Sequence, residues 1–163
     1  MPERWVVNAS PLIVLAKIEQ LHLLTTLADE VIVPQAVVDE IMAGPVDDPA
    51  RRFLETNPLK IIRSTISPVV QAWDLGKGET AVLSLAFLQQ GWRAVVDDGA
   101  ARRCARALDI PVIGTLGIIL KAKQQDIIPA AAPLLRSLQA HGFRLNEQVI
   151  REALKKTVNE VWD

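Results

Sequence analysis

The chain has one cysteine, Cys104, no tyrosine, three phenylalanines and four tryptophans among its 163 residues. A lone thiol excludes an intramolecular disulfide and any metal site built from several cysteines. With so few rings the core must be aliphatic, and 50% of the residues are hydrophobic. Charge of one sign is missing too: 18 basic and 19 acidic side chains leave a formal net charge of -1. Any polyanion site must therefore be a local patch. No run reaches the about 20 apolar residues that cross a bilayer, and no signal-peptide pattern opens the chain. The reading is a cytoplasmic protein without a membrane segment. His22 and His141 have no triad context, and Ser10 and Ser84 lack a nucleophile elbow. The GTLG of residues 114–117 is too short for a dinucleotide or P-loop fingerprint.

What is present is an alternation of short β-branched runs and longer helical patterns. Residues 5–7, 31–33, 61–62, 94–96 and 112–113 are apolar without an alternating polar face, as expected of strands covered on both sides. Helical patterns occupy 10–28, 34–43, 48–56, 78–90, 99–108 and 115–125, and two more, 130–140 and 146–160, flank His141-Gly142. The length suits a single domain over 1–163, with a core over 5–125 and C-terminal helices over 129–160. This alternation predicts an α/β fold, a three-layer α/β/α sandwich with a mostly parallel sheet of about five short strands. Ser10-Pro11 reads as an N-cap followed by a proline at the first helical position. Pro34 opens the next helix, Gly44 closes it, and Thr115 is a further cap candidate.

These starts place polar residues at the carboxyl ends of strands, where open α/β sheets bind ligands. They are Asn8, Glu40, Glu79 and the pair Asp97-Asp98. Carboxylates gathered at such an edge suit Mg²⁺ or Mn²⁺, which prefer hard oxygen ligands. Each residue also has a plainer reading. Asn8 could shape an Asx-turn at the strand-to-helix corner. Glu79 shares a helix face with Val82, Leu83 and Ala86, which aims it at the sheet, although a first-turn acid also complements the helix dipole. Glu40 shares a face with Val37, Ile41 and Gly44, yet Val38 and Met42 also need burial, and the alternative is a solvated acid. Adjacent carboxylates at 97 and 98 raise the pKa of one of them unless a cation compensates. A helix cap explains Asp98 but not the second acid. Arg102, Arg103, Arg106, Lys121 and Lys123, extended by Arg51-Arg52, form either a basic rim suited to a phosphodiester or ordinary solvated helix faces. Cys104 reads as a buried small residue.

The segments VVNASPLIVLAKI, VIVPQAVVDEI, LGKGETAVLSLA and VVDDGAARRCARALDIPVIGTLGIILKAK, in that order, resemble a PIN domain. The likeness is to the branch of predicted PIN nucleases related to VapC-type toxins. It runs from residue 5 to about residue 125, and PLLRSLQAHGFRLNEQVIREAL is also typical of that branch. The resemblance implies the same three-layer fold and Mg²⁺- or Mn²⁺-dependent RNA cleavage by clustered carboxylates. It further implies a cognate antitoxin protein and a homodimer. Asn8 matches the first acidic position, Glu40 the second and Glu79 the third, and the fourth falls on Asp97 or Asp98, the spacing leaving both open. Ser10 matches a hydroxyl near the first acid. The implied catalytic residues are Glu40, Glu79, Asp97 and Asp98, with Asn8, Glu79, Asp97 and Asp98 on the metal and Ser10, Arg102, Arg103 and Lys121 on RNA. The amide at Asn8 removes one negative charge, expected to weaken cation binding by about 1–3 kcal/mol. Asp97 could offset this from the neighbouring strand. The readings are thus a metal-dependent endoribonuclease, the toxin of a toxin–antitoxin pair, or a non-catalytic PIN-like module that binds RNA or protein. A receiver-like phosphotransfer domain is disfavoured, because its acidic pair should end the first strand.

Overall fold

Parallel strands need crossovers, and here helices supply each of them. The structure, a computed structural model, describes residues 2–56 and 59–163. Its strands are β1 (Arg4–Val7), β2 (Glu30–Pro34), β3 (Lys60–Ile62), β4 (Trp92–Val95) and β5 (Val112–Ile113). All pair in parallel, in the order β3-β2-β1-β4-β5. This is the predicted five-stranded parallel sheet, with ends shifted by a residue or so. Val96, expected inside a strand, lies just beyond β4, though its N–H still donates to the Ile113 carbonyl. Short apolar strands with no wet face suit a sheet covered by helices on both sides.

The helices are α1 (Ala9–Lys17), α2 (His22–Leu27), α3 (Gln35–Met42), α4 (Pro49–Thr56), α5 (Pro68–Gln71), α6 (Lys77–Leu88), α7 (Gly99–Ala107), α8 (Thr115–Gln124), α9 (Ala132–Ala140) and α10 (Glu147–Ala153), with a π-helical turn over Leu154–Val158. Helix α6 lies on β1, β2 and β4 and packs against α3, whereas α8 packs against α2, α9 and the π-helical turn. No helix among the described residues is long and apolar enough to cross a membrane.

The continuous helix expected over 10–28 is instead α1 and α2. Glu19 adopts a left-handed φ of 58°. The Gln20 N–H then reaches the Leu15 carbonyl and the Glu19 N–H the Ala16 carbonyl, the paired bonds of a Schellman C-cap. The start of α1 also differs from expectation. Asn8, not Ser10, is its N-cap, Ser10 lies exposed in the first turn, and no side chain caps the helix. Thr115 is the first residue of α8 rather than its cap, a place taken by Gly114. The short α5 carried no periodic signal in the sequence.

The core is aliphatic, as the composition requires, with Leu12, Leu15, Leu23, Leu83, Ile118, Ile119 and Leu135 fully buried. Trp5 sits inside it and Cys104 is buried as expected. The sheet register aligns Val7 with Val95, and Val95 with Ile113, so the carboxyl ends of the central strands form one edge. The chain runs from β1 outward to β3, then crosses back to β4 on the other side of β1. That reversal puts Asn8, at the end of β1, on the switch point of strand order, the position where such sheets take ligands.

Candidate metal centre

Asn8 follows directly on β1, and its N–H donates to the Val95 carbonyl at 3.1 Å. The backbone is thereby fixed to β4 and the side chain is driven into the edge of the sheet. Asn8 is only 4% exposed, and its Oδ1 has no hydrogen-bond partner. It forms no Asx-turn cap on α1. A buried acceptor without a donor is uncommon and requires an explanation.

The first turn of α6 supplies the neighbours. Gly78 is buried against Asn8 and Glu40 so closely that a β-carbon there would lie 3.0 Å from Asn8 Oδ1 and 3.3 Å from Glu40 Oε1. Both oxygens therefore converge on a spot that only a glycine leaves open. Helix α3 delivers Glu40 to it. As a residue Glu40 is exposed, but lost hydration at its carboxyl raises the pKa, and the charge of Glu79 raises it further. Glu79 is half-buried, with its carboxylate folded back over Gly76 at the start of α6. A β-carbon on Gly76 would stand 2.6 Å from Glu79 Oε2. The face shared with Val82 and Leu83, both buried, aims Glu79 inward, and its first-turn position also complements the helix dipole.

The aspartates behave differently from one another. Asp98 is exposed and caps α7, accepting from the Ala101 N–H at 3.0 Å. Asp97 turns toward β5, where Oδ1 accepts from the Thr115 N–H at 2.7 Å and Oδ2 from the Thr115 hydroxyl at 2.6 Å. Burial raises the Asp97 pKa, opposed by the two Thr115 bonds and by Arg102. Arg102 is held in place by the Val96 carbonyl at 3.2 Å. Arg103 is exposed one residue on. Lys121 lies at the opposite edge of the sheet: six residues into α8, it pairs with Glu3 at 3.5 Å and stands over the Trp5 ring. Arg106 falls in the last turn of α7, and Arg51 is engaged with the Met42 carbonyl and Glu55. The basic surface expected from the sequence thus reduces, on this edge, to Arg102 and Arg103.

The structure therefore brings Asn8 and Glu40 together, sets Glu79 within electrostatic reach of Glu40, and commits Asp97 to Thr115. Among the described residues no three His, Cys, Asp or Glu side chains are close enough to hold a metal ion. Asn8 brings an amide oxygen, not a carboxylate, to this edge. Thr115 was read from the sequence only as a helix cap, and Gly76 and Gly78 are the parts of this edge that residue-type reasoning passed over. The glycines either side of Lys77, just before an acid, are the signal that marks them.

A family model described as a PIN domain matches residues 4–159, from β1 through the π-helical turn. The chain belongs to the PIN-domain family. No curated protein matches it. PIN domains are generally nucleases and typically use divalent metals. The donors of this PIN domain fit such an ion: the unpartnered Asn8 Oδ1 and the carboxylates of Glu40 and Glu79 are all hard oxygens. Mg²⁺ commonly keeps several waters, so three protein residues suffice.

Proposed function

We propose that this PIN-domain protein is a metal-dependent endoribonuclease that hydrolyses RNA phosphodiesters with Mg²⁺ or Mn²⁺ at Asn8, Glu40 and Glu79. The observation that carries the reading is the buried Asn8 Oδ1, unpartnered and converging with Glu40 Oε1 over Gly78. A divalent cation bound there would polarise the scissile phosphate and lower the pKa of the attacking water. Asn8, Glu40 and Glu79 would hold it, directly or through water, and one of the two carboxylates would orient the attacking water. Asp97 ties the β4–α7 corner to the start of α8 through Thr115. Arg102 and Arg103 neutralise backbone phosphate. A toxin role, an antitoxin partner and a homodimer join this proposal on the resemblance to VapC-type toxins alone.

The test is cleavage of a structured RNA in Mn²⁺. Activity should vanish in EDTA and in Glu79→Ala, and Asn8→Asp should bind Mn²⁺ about tenfold more tightly. One observation favours a second reading, a non-catalytic RNA-binding module: both Asp97 oxygens are already engaged by Thr115. RNA binding without cleavage under every divalent ion would establish that reading instead.

A further inference from the structure

The C-terminal segment between α9 and α10 folds back against the start of α8. Between them lies a cleft of about 460 Å³ whose wall includes Asp97 and Arg102, joining it to the edge that carries the metal centre. Its floor is apolar, formed in part by Leu116 and Leu120, and Phe143 and Arg144 close the far side. The volume lies in the range of small-ligand sites and is ample for one nucleotide.

The charge of the cleft is unbalanced. Asp97, its one carboxylate, accepts from Thr115 through both oxygens and offsets part of the Arg102 charge, so that with Arg144 the cleft keeps an excess of one positive charge. Arg102 is pinned by the Val96 carbonyl, which pre-orients its guanidinium. Arg144 is exposed and makes no ion pair among the described residues. Gly114 keeps the space open, since a β-carbon there would come within 2.8 Å of Arg102 Nη1. Two guanidinium groups around an aromatic ring and a leucine floor match alternating phosphates and base faces.

We propose that this cleft is a subsite for single-stranded RNA, in which one base lies on Phe143 and the leucine floor while its flanking phosphates pair with Arg102 and Arg144. The proposal rests on the ribonuclease reading for its choice of ligand and adds where the strand runs beyond the scissile bond.

The test is the fluorescence anisotropy of a labelled, unstructured oligoribonucleotide in EDTA, where no cleavage intrudes, across a range of salt. Arg144→Ala should weaken binding and reduce the slope of log affinity against log salt by about 0.7, the share of one phosphate contact on a single strand. Arg144→Lys should restore the slope. Phe143→Ala should weaken binding about tenfold with the slope unchanged. Phe143 is half-buried and its loss could disturb folding, so exposed Arg144 decides the matter. Arg144→Ala binding RNA like wild type, or wild type binding none, overturns the subsite and leaves the cleft to a protein segment. Cleavage by wild type in Mn²⁺ with unaltered Arg144→Ala affinity removes this inference alone. Weakened Arg144→Ala binding without any cleavage removes the nuclease reading alone.

Discussion

Gly78 sets stability and metal binding apart. Gly78 lies in the first turn of α6, where the preference for alanine is smaller than the about 1 kcal/mol of a helix interior, so Gly78→Ala should leave the fold about as stable as wild type. The new β-carbon would nevertheless press on Asn8 Oδ1 at 3.0 Å and Glu40 Oε1 at 3.3 Å and spread the donors. The expected outcome is a normal urea midpoint with Mn²⁺ affinity lowered about tenfold, read by calorimetric titration. Equal affinity would show that the Gly78 turn does not shape the centre. Asp97 offers a second separation. Asp97→Ala orphans the Thr115 N–H and hydroxyl and should lower stability by about 1–3 kcal/mol, whereas Asp97→Asn can still accept from the N–H and donate to the hydroxyl. The pH dependence follows from the raised Asp97 pKa. The folded state holds that proton more tightly than the unfolded chain. Its stabilising contribution is complete below the unfolded pKa and is lost as pH rises through the folded one. Wild-type stability relative to Asp97→Asn should therefore decline across that acidic window and level off above it, in urea midpoints taken as a pH series.

Elements differ in how they are held, and the C-terminal tail shows it. Helix α9 begins without a capping side chain of its own. Instead Glu160, beyond the π-helical turn, returns to accept from the Ala131 N–H at 2.9 Å and the Ala132 N–H at 2.9 Å. Glu160→Ala should cost about 1–2 kcal/mol in chemical denaturation, and Glu160→Gln much less because an acceptor remains. Equal losses in the two variants would place the effect in charge rather than in the cap. No sequence signal announces such a contact, because the cap lies 28 residues from the Ala132 it serves. The strands, by contrast, were legible, since β-branched runs without a polar face have few uses other than a doubly covered sheet. The break between α1 and α2 was not legible: a left-handed residue there is normally glycine, and Glu19 occupies it. The candidate site divides along the same line. Helix phase brought out Glu79, and strand order placed Asn8 at the switch point of the sheet. The fates of Asp97 and Asp98 depended on Thr115 and on the α7 cap, partners set by tertiary geometry. Lys121 was carried away from the edge by rise along the helix, about 9 Å over six residues.

On the scale of the whole molecule, the centre is tied to a single continuous core that includes strands β1, β2 and β4 together with α6. An ion that binds only the folded chain stabilises all of it, because a small domain unfolds as one unit. At a free Mn²⁺ concentration about a hundredfold above Kd the gain is about 3 kcal/mol, a rise in Tm of roughly 5–10 °C for a domain of this size. The pH dependence has a definite sign. Burial and the Glu79 charge raise the Glu40 pKa, so without metal the Glu40 contribution is fully present below its unfolded pKa and lost as pH rises through the folded value. Over that same interval Glu40 becomes free to meet a cation. Added Mn²⁺ should therefore leave Tm unchanged at acidic pH and raise it increasingly as pH climbs through the window, in thermal scans set against EDTA at matched ionic strength. Glu79→Ala should abolish the rise, while Glu160→Gln, remote from the centre, should keep it. A Tm indifferent to Mn²⁺ at every pH would mean that Asn8, Glu40 and Glu79 hold no ion.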